Sequence, residues 1–165
     1  MLKFVYTIFV GLLIVAFVGL GIDAFYSGPD YPEYPTRLER PYPVTEKEED
    51  LTTEEKEARN EEFEKYQVEQ EKYETESKLY NRNVSIIVLS VAILILVVSL
   101  AFATQLAIIS DGAILGGVFT LIYGIIRGIE AGDPKFRFLV VTVGLIVAII
   151  LGYLKFIRPK STDQP

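Results

Sequence analysis

Carboxylates are the most numerous side chains of this chain that could do chemistry, with 22 Asp or Glu, and histidine and cysteine are both absent. Histidine is the commonest general base and transition-metal ligand, so its absence removes the simplest catalytic and metal sites. Without cysteine, neither thiolate chemistry nor disulfide bonds can occur. The chain also has no nucleotide, haem, flavin or metal motif. We therefore expect no enzyme activity, no catalytic residue, no cofactor and no metal.

Asp111 is the carboxylate whose position matters most, because it is the single charge in the apolar stretch 84–126. A carboxylate inside a membrane suggests ion or proton transport. At a helix N-terminus it is a cap. We expect a turn at residues 110–112, with Asp111 capping the next helix. A turn at 104–105 would instead leave Asp111 inside the membrane as an ion site.

A second group of charges follows the third apolar segment. Glu130 and Asp133 lie close in sequence to Arg127, Lys135 and Arg137. Together they could bind an ion or a lipid headgroup. The favoured interpretation is that they are ordinary loop charges at the membrane surface.

The elements that must position these charges are long apolar segments, each of about the 20 residues that a membrane-spanning helix needs. The predicted helices cover residues 1–25, 84–109, 111–132 and 136–157. A polar tail follows at 158–165. The sequence therefore predicts an all-α membrane protein with four transmembrane helices.

The first apolar segment has a competing interpretation. Residues 4–22 carry no charge and follow Lys3, which is also the pattern of a cleaved signal peptide. The apolar run is long for such a peptide, and no convincing A-x-A cleavage site follows it. An uncleaved first helix is the favoured prediction.

The segment between the first two spans differs sharply from them. Residues 26–51 are rich in proline and tyrosine, which predicts an extended spacer or, alternatively, a ligand for an aromatic groove on a partner. Residues 52–83 are rich in Glu, Lys and Gln without Gly or Pro, which is strong helix composition. Thr52 and Glu55 match a capping box. Nothing interrupts the pattern before residue 84, so this acidic helical stalk is predicted to continue into the second span.

Three tyrosines give the stalk helix one apolar edge. Tyr66, Tyr73 and Tyr80 are seven residues apart, but the companion heptad positions are mostly polar, which is too little for a coiled coil. We expect these rings to contact tyrosines of the extended segment as it runs beside the helix. The expected partners are Tyr31, Tyr34 and Tyr42.

Small residues at every fourth position predict how the spans pack. In lipid this spacing lets two helix backbones approach closely. The ladder in the third span comprises Gly112, Gly116, Thr120, Gly124 and Gly128, and Gly132 follows it as the residue expected to end the helix. The fourth span has its own ladder of Gly144, Ala148 and Gly152. We expect the two ladders to form a close antiparallel hairpin.

The third-span ladder should also meet other partners. A four-residue step drifts by about 40° around a helix, so the glycine face turns steadily along the span. One helix cannot cover all of it. We expect part of the ladder to meet the first or second span, or a second protein.

Charge distribution bears on partners and orientation. Residues 25–82 hold nine Lys or Arg against 17 Asp or Glu, and this acidity argues against nucleic-acid binding. The first helix favours cytoplasmic termini with the acidic stalk outside a bacterial-type plasma membrane, whereas the count of Lys and Arg near all the spans favours the opposite. We expect cytoplasmic termini.

Two functions are compatible with this sequence. The favoured one is an accessory, scaffold or self-associating subunit whose partners are the bilayer and another protein or a second copy. The alternative is a small channel or transporter with an ion or proton path near Asp111.

Overall fold

The computed structural model describes residues 1–34, 53–103 and 107–157, and over these residues it contains helices and no strand. The helices are α1 (Leu2–Phe25), α2 (Thr53–Ala101), α3 (Ala107–Glu130) and α4 (Pro134–Gly152), followed by a π-helical turn at Tyr153–Ile157. Four helices are long and apolar enough to cross a membrane. The predicted all-α class with four apolar helices of membrane-spanning length is therefore confirmed.

The chain divides into two compact units. The bundle unit comprises the described parts of Met1–Ser27 and Lys78–Pro165, and the tyrosine unit comprises those of Gly28–Ser77. The helix α2 runs without interruption from Thr53 to Ala101, so one helix supplies residues to both units. The Thr52 and Glu55 side chains of the expected capping box lie outside the described residues.

The bundle unit is held by two buried apolar clusters. The first joins α1 to α2 through Val18, Ile22, Val84 and Val88. The second joins α2, α3 and α4 through Leu89, Ala92, Leu121 and Val140. Because these residues come from all four helices, the bundle depends on contacts between segments far apart in sequence.

The first part of the α3 ladder packs on α1. A Cβ added at Gly112 would lie 2.9 Å from Val10 Cβ, and one at Gly116 would lie 2.8 Å from Ile14 Cβ. Both separations are too short for real carbon atoms, so only glycine permits this approach. The order of these contacts shows that α1 and α3 run parallel.

The later part of α3 packs on α2. A Cβ at Gly117 would lie 2.7 Å from Leu96 Cδ2, and one at Gly124 would lie 3.0 Å from Leu89 Cδ2. The residue numbers increase on α3 as they decrease on α2, so these helices are antiparallel. The turning glycine face therefore meets two helices in succession.

The helices α3 and α4 pack as an antiparallel hairpin, but their small-residue ladders face each other only in part. A Cβ at Gly144 would meet the side chain of Ile125, 2.6 Å away, and one at Gly152 would meet nothing within 4 Å. Within the α3 ladder, Gly128 is the glycine that approaches α4, because a Cβ added there would lie 2.8 Å from Val140. The bulky side chains of α1 and α2 fill most of the glycine face instead.

The turn between α2 and α3 also differs from the expected one. The helix α3 begins by Ala107, so Asp111 lies one turn inside it rather than at its N-cap. Ser110 is buried, with its hydroxyl donating to Ser99 O of α2 at 2.6 Å, and Gly112 is needed for the contact with α1. Serine and glycine serve helix packing here, although the same residue types are typical of turns.

The turn between α3 and α4 agrees with the sequence. Gly132 has a φ of 80°, the left-handed conformation expected after a helix. Asp133 then caps α4 by accepting a hydrogen bond from Lys135 N at 2.9 Å, and Pro134 occupies the first turn of that helix. Proline is suited to this position because its missing N–H would have no partner there.

Replacing Gly124 by leucine should destabilise the bundle unit. Side chains of α2 already occupy the space, and overpacking typically costs about 1–3 kcal/mol. Thermal unfolding in mild detergent should show a lower midpoint for Gly124→Leu. The matched control is Gly19→Leu in α1, where an added Cβ meets nothing within 4 Å. Equal midpoints for the two variants would contradict the packing.

Candidate functional site

Arg127, near the end of α3, makes several polar contacts with described residues of the bundle unit. Its Nη1 donates to Asn81 Oδ1 at 2.8 Å and more weakly to Glu130 Oε2 at 3.4 Å, and its Nε donates to the Tyr123 hydroxyl at 3.2 Å. The side chain is 30% exposed. A guanidinium with its planar donors is suited to joining several acceptors in this way.

Aromatic rings surround the same guanidinium. Arg127 Cζ lies 5.8 Å from the ring centre of Tyr80 and 5.5 Å from that of Tyr123. Tyr80 in turn stacks on Tyr26, the C-cap residue of α1, with ring centres 5.3 Å apart, and Asn83 Nδ2 donates to the Tyr26 hydroxyl at 2.9 Å. These contacts tie the C-terminal ends of α1 and α3 to the middle of α2. The rings of Tyr80 and Tyr123 and the Arg127 guanidinium therefore form a structural connection between helices of the bundle.

The sequence indicated Arg127 only as a loop charge. The four-residue spacing of Tyr123 and Arg127 places them on one helix face and is the local signal that could have paired them. Their contacts with Tyr80 and Asn81 carry no such signal, because those residues belong to another helix.

Asp111 forms an ion pair in the structure. Lys155 Nζ, in the π-helical turn after α4, donates to Asp111 Oδ1 at 2.6 Å. The two side chains are 34% and 51% exposed, for lysine and aspartate respectively. An ion pair this exposed is worth about 0–1 kcal/mol. The contact joins the start of α3 to the end of the helical segment that follows α4.

Hydroxyl groups inside the bundle donate to backbone carbonyls. Ser85 Oγ donates to Gly124 O at 2.7 Å, which links α2 to α3 at a ladder glycine. The buried Thr120, the one threonine of the ladder, donates to Gly116 O at 2.8 Å within α3. Interhelical hydrogen bonds from small side chains are a recurrent means of membrane helix association. The Ser85 bond is of this kind, whereas the Thr120 hydroxyl is satisfied within its own helix.

The tyrosine unit is built on ring pairs. Tyr31 meets Tyr73 edge to face with ring centres 5.1 Å apart, and Tyr34 meets Tyr66 likewise at 5.0 Å. Gln70 lies between the pairs, and its Nε2 donates to the Tyr66 hydroxyl at 2.8 Å and more weakly to that of Tyr31 at 3.5 Å. Each such aromatic pair contributes about 0.5–1.5 kcal/mol beyond its buried area.

The two sets of tyrosines match in spacing. Three residues in an extended polyproline II conformation rise about 9 Å, and seven residues of an α-helix rise about 10.5 Å. Tyrosines three residues apart in the extended segment can therefore pair one after another with tyrosines seven residues apart in α2. Among the expected contacts, Tyr80 pairs with Tyr26 in the bundle unit, and Tyr42 lies outside the described residues.

The charges near the α3–α4 turn have different partners. Glu130 approaches Arg127, and Asp133 accepts from the backbone of Lys135. Arg137 Nε donates to Ile129 O, a carbonyl in the last turn of α3, at 2.8 Å. In the part of the chain that the structure describes, no group of three carboxylates is arranged to hold a metal ion.

Comparison of the chain with protein-family models, with curated proteins and with solved structures finds no match.

Replacing Tyr66 and Tyr73 by serine should release the segment that precedes residue 35. The double variant loses both ring pairs of the tyrosine unit, so limited proteolysis should cut the chain between residues 28 and 34 faster than in the unmodified protein. Val68→Ser, at a 66% exposed position of the same helix, is the matched control and should leave the rate unchanged. An unchanged rate in the double variant would contradict the role of the rings.

Proposed function

We propose that this chain is a non-enzymatic integral membrane protein that acts through protein contacts, as an accessory, scaffold or self-associating subunit. The observation that carries the proposal is the pairing of Tyr31 with Tyr73 and of Tyr34 with Tyr66. These pairs order a segment that is too polar to form a core of its own. An ordered polar surface is what a protein-binding subunit requires.

The α2 face opposite the tyrosines supports the same role. Glu57, Glu64 and Glu71 are seven residues apart and exposed, and they lie about half a turn around the helix from Tyr66 and Tyr73. The rings thus hold one face while carboxylates remain accessible on the other. A partner with a cationic surface would be complementary to them, and charge complementarity promotes encounter and selects among partners.

The bundle unit is suited to anchoring the chain in a membrane. Its glycines accept side chains of neighbouring helices, and its buried hydroxyls donate to carbonyls such as Gly124 O. The outward faces of α1 and α4 are apolar, with Phe17 and Phe138 among the most exposed side chains. We place the protein in a bacterial-type plasma membrane, with cytoplasmic termini and the acidic segment outside.

A small channel or transporter is the second candidate, because Asp111 lies within α3 rather than at its cap. A carboxylate within a membrane helix is a usual mark of an ion or proton path. The contact with Lys155 favours the structural role, since the lysine supplies the compensating charge.

A single introduced cysteine can test both the interaction and the orientation, because the chain has none of its own. Glu64→Cys, treated in intact cells with a membrane-impermeant thiol reagent that carries a photo-crosslinker, should be labelled and should then form a discrete protein adduct. Phe17→Cys, in the apolar face of α1, is the control and should stay unlabelled.

Each outcome of this cysteine experiment decides a separate point. Labelling of Glu64→Cys without any protein adduct would contradict the interaction role. Labelling only after the cells are lysed would reverse the proposed orientation.

Substituting Asp111 by asparagine separates the two candidate functions. For an interaction subunit, the purified protein in vesicles should carry no proton or cation flux above that of empty vesicles. Asp111→Asn and Lys155→Gln should each lower stability by about 1 kcal/mol or less, with a double-mutant cycle showing that the losses are shared. A pH-dependent flux that Asp111→Asn abolishes would favour transport instead.

A further inference from the structure

Four tyrosine rings of the tyrosine unit lie in contact, two from the extended segment and two from α2. Tyr31 meets Tyr73 and Tyr34 meets Tyr66, both edge to face, with ring centres 5.1 and 5.0 Å apart. Edge-to-face rings at this separation have their nearest carbon atoms in van der Waals contact. Two phenols held in this way are placed for reaction with each other as well as for packing.

The two pairs differ in how far an oxidant can reach them. Tyr31 is 64% exposed and Tyr73 is half-buried, whereas Tyr34 is 46% exposed and Tyr66 only 8%. The Tyr66 hydroxyl is also engaged, because it accepts a hydrogen bond from Gln70 Nε2 at 2.8 Å. Tyr31 and Tyr73 are therefore the pair in which both rings are accessible.

A covalent bond between these rings would have the effect that no disulfide of this chain can have, because cysteine is absent. The bond would close the long loop between residues 31 and 73, and closing a long loop restricts the unfolded chain. It would also attach residues 28–34 permanently to α2. The bond lies within one chain, so it does not depend on the proposed protein partner.

We propose that Tyr31 and Tyr73 are a site of oxidative cross-linking, at which a haem peroxidase acting with hydrogen peroxide joins the two side chains as dityrosine. Each phenol gives up the hydrogen atom of its hydroxyl to the oxidised peroxidase. The two phenoxyl radicals then form one bond between ring carbons that neighbour the hydroxyl-bearing carbons.

The atoms and electrons of this step balance. After the carbon–carbon bond has formed, the hydrogens on the two bonded carbons move to the oxygens, which restores both phenols. The two tyrosines have then lost two protons and two electrons in all. These reduce one hydrogen peroxide molecule to two waters.

The test treats the purified full-length protein in mild detergent with a haem peroxidase and limiting hydrogen peroxide. Dityrosine fluorescence should appear in protein that still migrates as a monomer on a denaturing gel. Trypsin should then release residues 73–78 joined to the peptide that contains Tyr31, at the sum of their masses less two hydrogens. Fragmentation in the mass spectrometer should place the bond on Tyr31 and Tyr73.

Conservative variants separate the ring pair from exposure alone. Tyr73→Phe keeps a ring in the contact but lacks the hydroxyl that must be oxidised, so it should lose the joined peptide and most of the fluorescence. Tyr31→Phe should show the same loss. The matched control is Tyr153→Phe, which removes the hydroxyl of a 55% exposed ring in the π-helical turn and should retain both signals.

Several outcomes would overturn the proposal. Equal fluorescence in Tyr73→Phe and the unmodified protein would show that exposure, rather than the ring pair, decides the coupling. Absence of dityrosine, cross-links found only between molecules, or a bond from Tyr34 to Tyr66 in place of the proposed one would also overturn it. If circular dichroism shows that Tyr73→Phe has lost its helix, Tyr31→Phe decides, because Tyr31 lies outside the helices.

Discussion

Close approach of helix backbones at the glycines of α3 is the constraint on which the bundle unit depends. In a bilayer, apolar side chains gain little by leaving lipid for protein, so association relies on tight packing and interhelical hydrogen bonds. Val10 and Ile14 of α1 occupy the space over Gly112 and Gly116, and Leu89 of α2 occupies that over Gly124. The drift of the ladder around α3 is what allows one helix to receive two partners.

Once α3 is placed between α1 and α2, the ends of the bundle follow. The last turns of α3 bring Arg127 to Asn81, Tyr80 and Tyr123, where hydrogen bonds and ring contacts converge on one guanidinium. At the other end, Asp111 meets Lys155. Arg127 and Asp111 thus each have a compensating partner where helices meet, as is expected of ionisable groups close to an apolar environment.

The tyrosine unit follows a different rule, since it is too polar to be held by a core. Its order comes from two periodic structures that match in length. Three residues of the extended segment rise about as far as seven residues of the helix, so the tyrosines of the two lie side by side. Gln70, between the two ring pairs, adds a hydrogen bond to the Tyr66 hydroxyl. Such a unit has contacts on one helix face and solvated carboxylates on the other, which is why the proposed function is one of binding rather than of chemistry.

The sequence alone determined the four apolar helices, the acidic segment, the end of α3 before Gly132 and the tyrosine spacing, because each is a property of one local stretch. Only the tertiary structure decided which helices cover the glycines, that Asp111 lies inside α3, and that Arg127 meets the aromatic rings. A helical period shows which residues share a face but not which distant side chains fill it. Serine, aspartate and glycine are ambiguous for the same reason: they suit a turn and a close helix contact equally, and the neighbouring helix decides between them.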